Sequence, residues 1–168
     1  MLRAKGPLLS IDLTTQETAT ESITETLESF VGGRGVATRL AHERIPFDAD
    51  PLGADNRLYF STGPMQQSQM SFTGRMNATA VSPLTDGLLS SNAGGFMSRN
   101  FAATGYSAVE ITGEADELTV VHVTDDGIDF EAAPELAGAT VSEVTDHVEQ
   151  SRGLDAEHIA AIGPAGEN

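Results

Sequence analysis

From Arg57 to Tyr106 the chain reads RLYFSTGPMQQSQMSFTGRMNATAVSPLTDGLLSSNAGGFMSRNFAATGY. Short apolar runs at 57–61 and 76–81 read as strands. Thr62-Gly63-Pro64 ends the first, and Ser82-Pro83 breaks the second. Thr85-Asp86-Gly87 is a turn signal, and Leu88-Leu89 leads into a turn at Asn92. A helix is expected over about 95–103, stopped by Gly105. Strands that follow one another this closely do not alternate with helices as βαβ units would. The pattern predicts an α+β fold built mainly of antiparallel sheet with short helices.

The same stretch stands out by charge. The 168-residue chain carries a formal charge of −16, yet between Asn56 and Val109 a single acid, Asp86, meets three arginines, Arg57, Arg75 and Arg99. That window is +2, which leaves −18 on the rest. It is also crowded with Gly, Ser, Thr, Asn and Gln, whose side chains and accessible backbone offer many hydrogen bonds. An acidic protein that keeps one stretch free of acids can be protecting a seat for an anion, phosphate first. A buried sheet, which excludes charge in any case, gives the same composition.

Working outward, Leu9, Ile11 and Leu13 alternate with polar residues as a half-buried strand does, and 17–23 reads as its hairpin partner. Thr24 can cap a short helix whose Leu27, Phe30 and Val31 share a face. After Gly32-Gly33 a second helix is expected over 34–43, with Val36, Ala37, Leu40 and Ala41 as its apolar stripe. Towards the C-terminus, 106–112, 118–124 and 128–131 read as strands. Asp125-Asp126-Gly127 makes the turn between the last two. Thr140 to Glu143 has capping-box spacing, with Val141, Val144 and Val148 as the apolar face, and 158–162 reads as a final strand. Length suits one domain, 1–168.

There is no cysteine, so the chain offers no disulfide, no cysteine-held metal or cluster and no thiol nucleophile. The four histidines show no ligand spacing, and no apolar run is long enough for a membrane span. A cytoplasmic protein is the default. The negative charge argues against nucleic acid as a partner. One lysine against eight arginines, with acids spread throughout, predicts a surface adapted to a salty cytoplasm.

Two glycine-rich corners can serve an anion. Gly32-Gly33-Arg34-Gly35 sits at a helix start, where free N–H groups and the helix dipole favour negative charge; it is also an ordinary glycine corner. Ser90-Ser91-Asn92-Ala93-Gly94-Gly95 allows close backbone approach, or is an ordinary helix start. Arg75 needs a partner, either a distant carboxylate or a phosphate oxygen. Neither the dinucleotide fingerprint nor a P-loop is present. Glu110 reads as structural and His122 as a packed, hydrogen-bonded side chain; no catalytic set stands out, so any chemistry must come from a cofactor.

Seven segments in order, LLSIDLTT, FVGGRGVATRL, RLYFSTGP, SFTGRMNATAVSPLTDG, SSNAGG, ATGYSAVEITGEA and IGPAGEN, cover nearly the whole chain. Together they resemble the N-terminal domain of the tungsten-containing aldehyde:ferredoxin oxidoreductases. The resemblance implies a β-rich base under a tungsten (or molybdenum) bis-pterin, in an enzyme that oxidises aldehydes to carboxylic acids. Two electrons pass from the metal through an iron–sulfur cluster to ferredoxin. It implies that Arg75 reaches a pterin phosphate. The Asn92 backbone carbonyl would help hold a magnesium ion, and the N–H groups of Ala93 and Gly94 would meet phosphate oxygens. Gly95, Gly33 and Arg34 complete the cofactor-binding residues expected here, and none is catalytic. The cluster cysteines of the family lie beyond this stretch, so the expectation is an incomplete N-terminal domain that works with further domains or a partner chain. A non-catalytic module that binds an anion or a partner is the alternative.

Overall fold

The computed structural model describes residues 6–66, 68–70, 73–124 and 126–167. They fall into two compact units, Met1–Ala115 and Asp116–Asn168.

The first unit is a six-stranded sheet. Its strands are β1 (Leu8–Asp12), β2 (Glu17–Glu21), β3 (Leu58–Thr62), β4 (Arg75–Val81), β5 (Leu88–Gly94) and β6 (Ala108–Thr112), in the order β2-β1-β6-β3-β4-β5. Every pairing is antiparallel except β1 with β6. The expected α+β, mainly antiparallel fold is therefore the one found. Side chains alternate across the sheet. Leu8, Tyr59 and Ala108 share one face and pack with the helix α2 (Arg34–Arg44). The stripe predicted for that helix, Val36, Ala37, Leu40 and Ala41, is buried throughout, and Ile23, Leu27 and Ile45 close the core. Truncating Leu40 to alanine in such a core costs about 2–5 kcal/mol.

Helix α1 (Thr24–Phe30) is present, but two details differ from expectation. Thr24 is its first residue, not its cap; Ile23 holds the cap position with no side-chain bond. Of the expected apolar face only Leu27 is buried. Phe30 is 42% exposed and Val31 61%. The Arg39 guanidinium sits 5.8 Å from the Phe30 ring, which gives that ring a cation for a neighbour in place of the core.

The largest difference lies at Asn92. The expected turn and helix start there are instead strand: β5 runs on through Asn92 and Ala93 to Gly94, and α3 begins later, at Met97–Ala103. Glycine and asparagine disfavour strands, but β4 supplies a ladder partner for every residue from Leu88 to Gly94, and pairing overrides local preference.

In the second unit β7 (Thr119–Thr124) and β8 (Gly127–Ala132) form the expected hairpin. Asp125, in its turn, lies outside the described residues, as do Ser71 and Phe72 of the 71–75 stretch. Helix α4 (Val141–Arg152) carries the predicted capping box: Thr140 accepts from the Glu143 N–H, and Glu143 reaches back to the Thr140 N–H. Only Val148 of its three valines is buried. The strand expected over 158–162 is absent; a 3-10 turn, Ala156–His158, leads into irregular chain. A strand exists only where a ladder partner does, and the sheet of this unit pairs β7 with β8 alone among the described residues. No helix among the described residues is long and apolar enough to cross a membrane.

Candidate anion-binding edge

β5 is an edge strand of its sheet, and the ladder it shares with β4 decides which of its backbone groups are free. In an antiparallel pair, opposed residues alternate between bonding each other and facing away. The bonds Gly95 N–H to Gly74 C=O (3.2 Å) and Ser82 N–H to Gly87 C=O (2.9 Å) bracket the ladder and fix its phase. The pairs Met76–Ala93, Ala78–Ser91 and Ala80–Leu89 therefore bond to each other, given the continuous register between the brackets. The N–H and C=O groups of Asn92 and Gly94 face the open side of β5. Asn92, Ala93, Gly94 and Gly95 are all exposed.

This phase sharpens the expectation for SSNAGG. The Asn92 carbonyl and the Gly94 N–H are available at the edge. The Ala93 N–H is not, because it is directed at Met76; an exposed side chain is what Ala93 contributes. The Asn92 side chain turns inward, where its Oδ1 lies 3.4 Å from Asn77 Nδ2, so it is the backbone of Asn92 that the edge offers. Asn77 is pinned in turn: it donates to Ser90 Oγ and to the Ser91 carbonyl at 2.8 Å each, and accepts from Thr79 Oγ1 at 2.6 Å.

Arg75 is placed directly across from Gly94. Its side chain is exposed, and no ion pair or hydrogen bond of its guanidinium is found among the described residues. Among the described residues, the distant carboxylate that would have explained this arginine is not found. Gly74 has φ +105°, a conformation that favours glycine, and it turns the N–H out of the ladder. That N–H is bound by Gln66 Oε1 at 2.8 Å, while Gln66 Nε2 donates to the Arg75 carbonyl. Nothing in the sequence singled out Gln66; its signal was only a Gln in a polar loop.

Gly33 joins the same end of the sheet. Its N–H donates to the Thr62 carbonyl at 2.8 Å, Thr62 pairs with Met76, and Met76 pairs with Ala93. As the N-cap of α2 it has no side-chain bond, and a Cβ built there would meet nothing within 4 Å. Gly95 has the same open space. Arg34 is separate: it lines a groove of about 410 Å³ with Phe30, Thr38, Arg39 and His42, and no bond joins it to the Arg75 ladder among the described residues.

The donor set fits a phosphorylated ligand with a hard cation. It holds a guanidinium with no partner among the described residues, an outward N–H, an outward carbonyl, a helix N-terminus nearby and space left by two glycines. A larger cleft, about 540 Å³, lies at the other end of the sheet. Asp12 and Asp55 line it beside Arg44 and Arg57, so it is not an anion seat. Both arginines are taken by Glu110, at 3.3 Å from Arg44 and 3.1 Å from Arg57. Tyr59 and Ser10 also donate to that carboxylate. Burial works to raise the Glu110 carboxyl, but the Tyr59 hydrogen bond, the Arg44 charge, Ser10 and Arg57 outweigh it and hold it below the usual range. Burial, and then the bond to Glu110, push the Tyr59 hydroxyl up and keep it a donor. Glu110 is structural, as expected. So is His122, buried and 2.8 Å from Glu131.

A family model described as the aldehyde ferredoxin oxidoreductase N-terminal domain matches residues 8–168. Tungsten-containing aldehyde ferredoxin oxidoreductases of Thermococcus kodakarensis and Pyrococcus furiosus are 32% and 30% identical over 164 residues, 97% of this chain and 27% of each relative. The WOR-like subunit of an aliphatic sulfonate oxidoreductase from Pyrococcus furiosus is 26% identical over all of this chain and 29% of its own length. Among solved structures, the active-site complex BamBC of benzoyl coenzyme A reductase with 1,5-dienoyl-CoA superposes with a TM-score of 0.91 at 26% identity. That likeness covers the whole of this chain and 26% of the other. The chain thus spans about a quarter of the length of the curated relatives it matches. It belongs to the aldehyde ferredoxin oxidoreductase N-terminal domain family.

Proposed function

We propose that this chain is the cofactor-cradling N-terminal part of an oxidoreductase that oxidises aldehydes to carboxylic acids, with ferredoxin as electron acceptor. The observation that carries the reading is the open edge of β5, where the Asn92 carbonyl and the Gly94 N–H face outward across from an Arg75 with no partner for its guanidinium among the described residues. Arg75 and Gly94 would hold phosphate oxygens of a tungsten (or molybdenum) bis-pterin. The Asn92 carbonyl would serve a magnesium ion, which prefers hard oxygen ligands. Ala93 and Gly95 line the approach. Gly33 adds the positive end of α2, and Arg34 lies apart from the Arg75 edge. When bound, the metal–pterin group supplies the two-electron redox chemistry that no side chain here offers. The residues of this chain orient that group and neutralise its phosphate charge.

Relatives with different printed reactions share this segment: aldehyde, aliphatic sulfonate and benzoyl coenzyme A systems. This supports assigning to it a part common to them, which we read as the cofactor seat, and not the choice of substrate. The iron–sulfur cluster, whose cysteine ligands this chain lacks, belongs to the remainder of the enzyme, as do the substrate pocket and the ferredoxin contact; the matched span is 27% of the aldehyde-oxidising relatives. The test is metal and pterin analysis of the protein purified from its native cell. Tungsten or molybdenum, pterin and magnesium should co-purify in fixed ratio. Protein that is active without pterin, or a pterin fraction unchanged in Arg75→Ala, overturns the assignment.

A further inference from the structure

We infer that Gln66 is a positioning residue for the Arg75 edge: its side-chain amide takes the place of the ladder that β3 no longer supplies, and so sets where Arg75 and Gly94 meet an anion. This rests on the reading of that edge as an anion seat.

β3 stops at Thr62, opposite Met76. Arg75 belongs to β4 but lies one residue past the end of β3. Because Arg75 and Gly94 are a pair that faces away from each other, the Arg75 carbonyl points to the side that β3 has left. A carbonyl there needs a donor, since an unpaired, partly buried backbone group is costly. Gln66 Nε2 is that donor. Its Oε1 meanwhile accepts the Gly74 N–H at 2.8 Å. A primary amide carries both a donor and an acceptor, like the peptide group it replaces here. Gln66 is only 8% exposed, and its own N–H reaches the Gly63 carbonyl at 3.3 Å, which ties it to the turn after β3.

A second clamp completes the arrangement. Since the Gly74 N–H is turned to Gln66, the Gly95 carbonyl is left without it. Ser98 Oγ, 1% exposed, donates to that carbonyl at 2.9 Å. The end of the β4–β5 ladder is thus held by one buried side chain from each side. Glutamine is the residue type that suits position 66: glutamate at neutral pH accepts but cannot donate, and an apolar residue does neither.

The experiment uses this chain, isotopically labelled, with inorganic phosphate as the probe at fixed ionic strength. Amide exchange and phosphate affinity are measured for the wild type, Gln66→Ala and Gln66→Glu. In Gln66→Ala the Gly74 amide should exchange about tenfold faster or more, and phosphate should bind about tenfold more weakly, the scale of one net hydrogen bond. Amides of Tyr59 and Val109 should keep their protection. In Gln66→Glu phosphate binding should be weak at pH 7 and recover relative to wild type as the pH falls towards about 4, where the new carboxyl regains a proton to donate. Unchanged Gly74 exchange in Gln66→Ala overturns the inference, and so does unchanged phosphate affinity. A Gln66→Glu variant whose affinity ignores pH also overturns it. A wild-type chain that does not bind phosphate overturns the anion seat itself, whereas wild-type binding matched by Gln66→Ala removes only the role of Gln66.

Discussion

The two ends of the six-stranded sheet use arginine in opposite ways. At the Glu110 end, Arg44 and Arg57 converge on a carboxylate that is 3% exposed, with Tyr59 and Ser10 taking its remaining capacity. Both arginines there are answered from within the protein. At the other end Arg75 has no carboxylate among the described residues, and the backbone beside it faces outward. α2 runs between them, from Gly33 beside Thr62 to Arg44 beside Glu110. The contrast teaches that an arginine becomes informative through what it lacks. A closed cluster stabilises the fold, and an open one leaves binding capacity for something else.

The largest effect should come from opening the closed end. Glu110→Ala strands the Arg57 guanidinium and a buried hydroxyl and leaves Arg44 with Glu21 alone, and should cost about 3–5 kcal/mol in chemical denaturation. A loss below about 1 kcal/mol would mean that the cluster is not holding the sheet. Its pH dependence has a definite sign. The folded Glu110 carboxyl lies below its unfolded value, so its stabilisation is full above about pH 4.3 and is lost as pH falls through the folded value. Acid titration of the wild type against Glu110→Gln checks this.

Arg75→Ala addresses the open end. Stability should change by less than about 0.5 kcal/mol, because the side chain is exposed and has no partner among the described residues. Phosphate or cofactor retention should fall by roughly 10- to 100-fold, the worth of a charged hydrogen bond at about 1.5–3 kcal/mol. A large loss of stability with retention intact would erase the distinction between the two ends.

The second unit offers a closed cluster nearer the surface. Glu131 accepts from Arg152, His147 and His122, in that order of influence, and is held down to about 2. Glu131→Gln should cost about 1–2 kcal/mol. The depressed value places the loss on the acid side: the contribution is full above about pH 4.3 and fades as pH falls through about 2. Thermal melts of the variant across that window are the check.

Salt should separate the ends most gently. With a net charge of −16, the melting temperature should rise from dilute buffer to about 1 M KCl, where the screening length is about 3 Å. Phosphate binding at the open edge should weaken over the same range, while Glu110→Ala should cost much the same in both, since buried pairs are screened less.

Much of this is legible in the sequence. The opening hairpin, the stripe of α2, the capping box at Thr140 and the acid-poor window each follow from local chemistry that travels with the chain. The ordered motifs point to the family that the comparisons show. Misreadings fell where partners decide. Asn92 to Gly94 have the composition of a turn and become strand because β4 pairs with them, while 158–162 reads as a strand and finds no partner. Phe30 has an apolar side chain and packs under a guanidinium.

The sequence by itself determined that one part of a very acidic molecule holds a single acid and is rich in glycine, and that Arg75 and SSNAGG lie within it. Periodicity and composition are properties of single segments and need nothing distant. Only the tertiary structure decided that Arg75 stands across from Gly94, that Asn92 turns its carbonyl out and its side chain in, and that a buried Gln66 holds the end of the ladder. Those facts depend on the phase of hydrogen bonding between strands, set by which residues meet across the sheet, and no single segment carries that information.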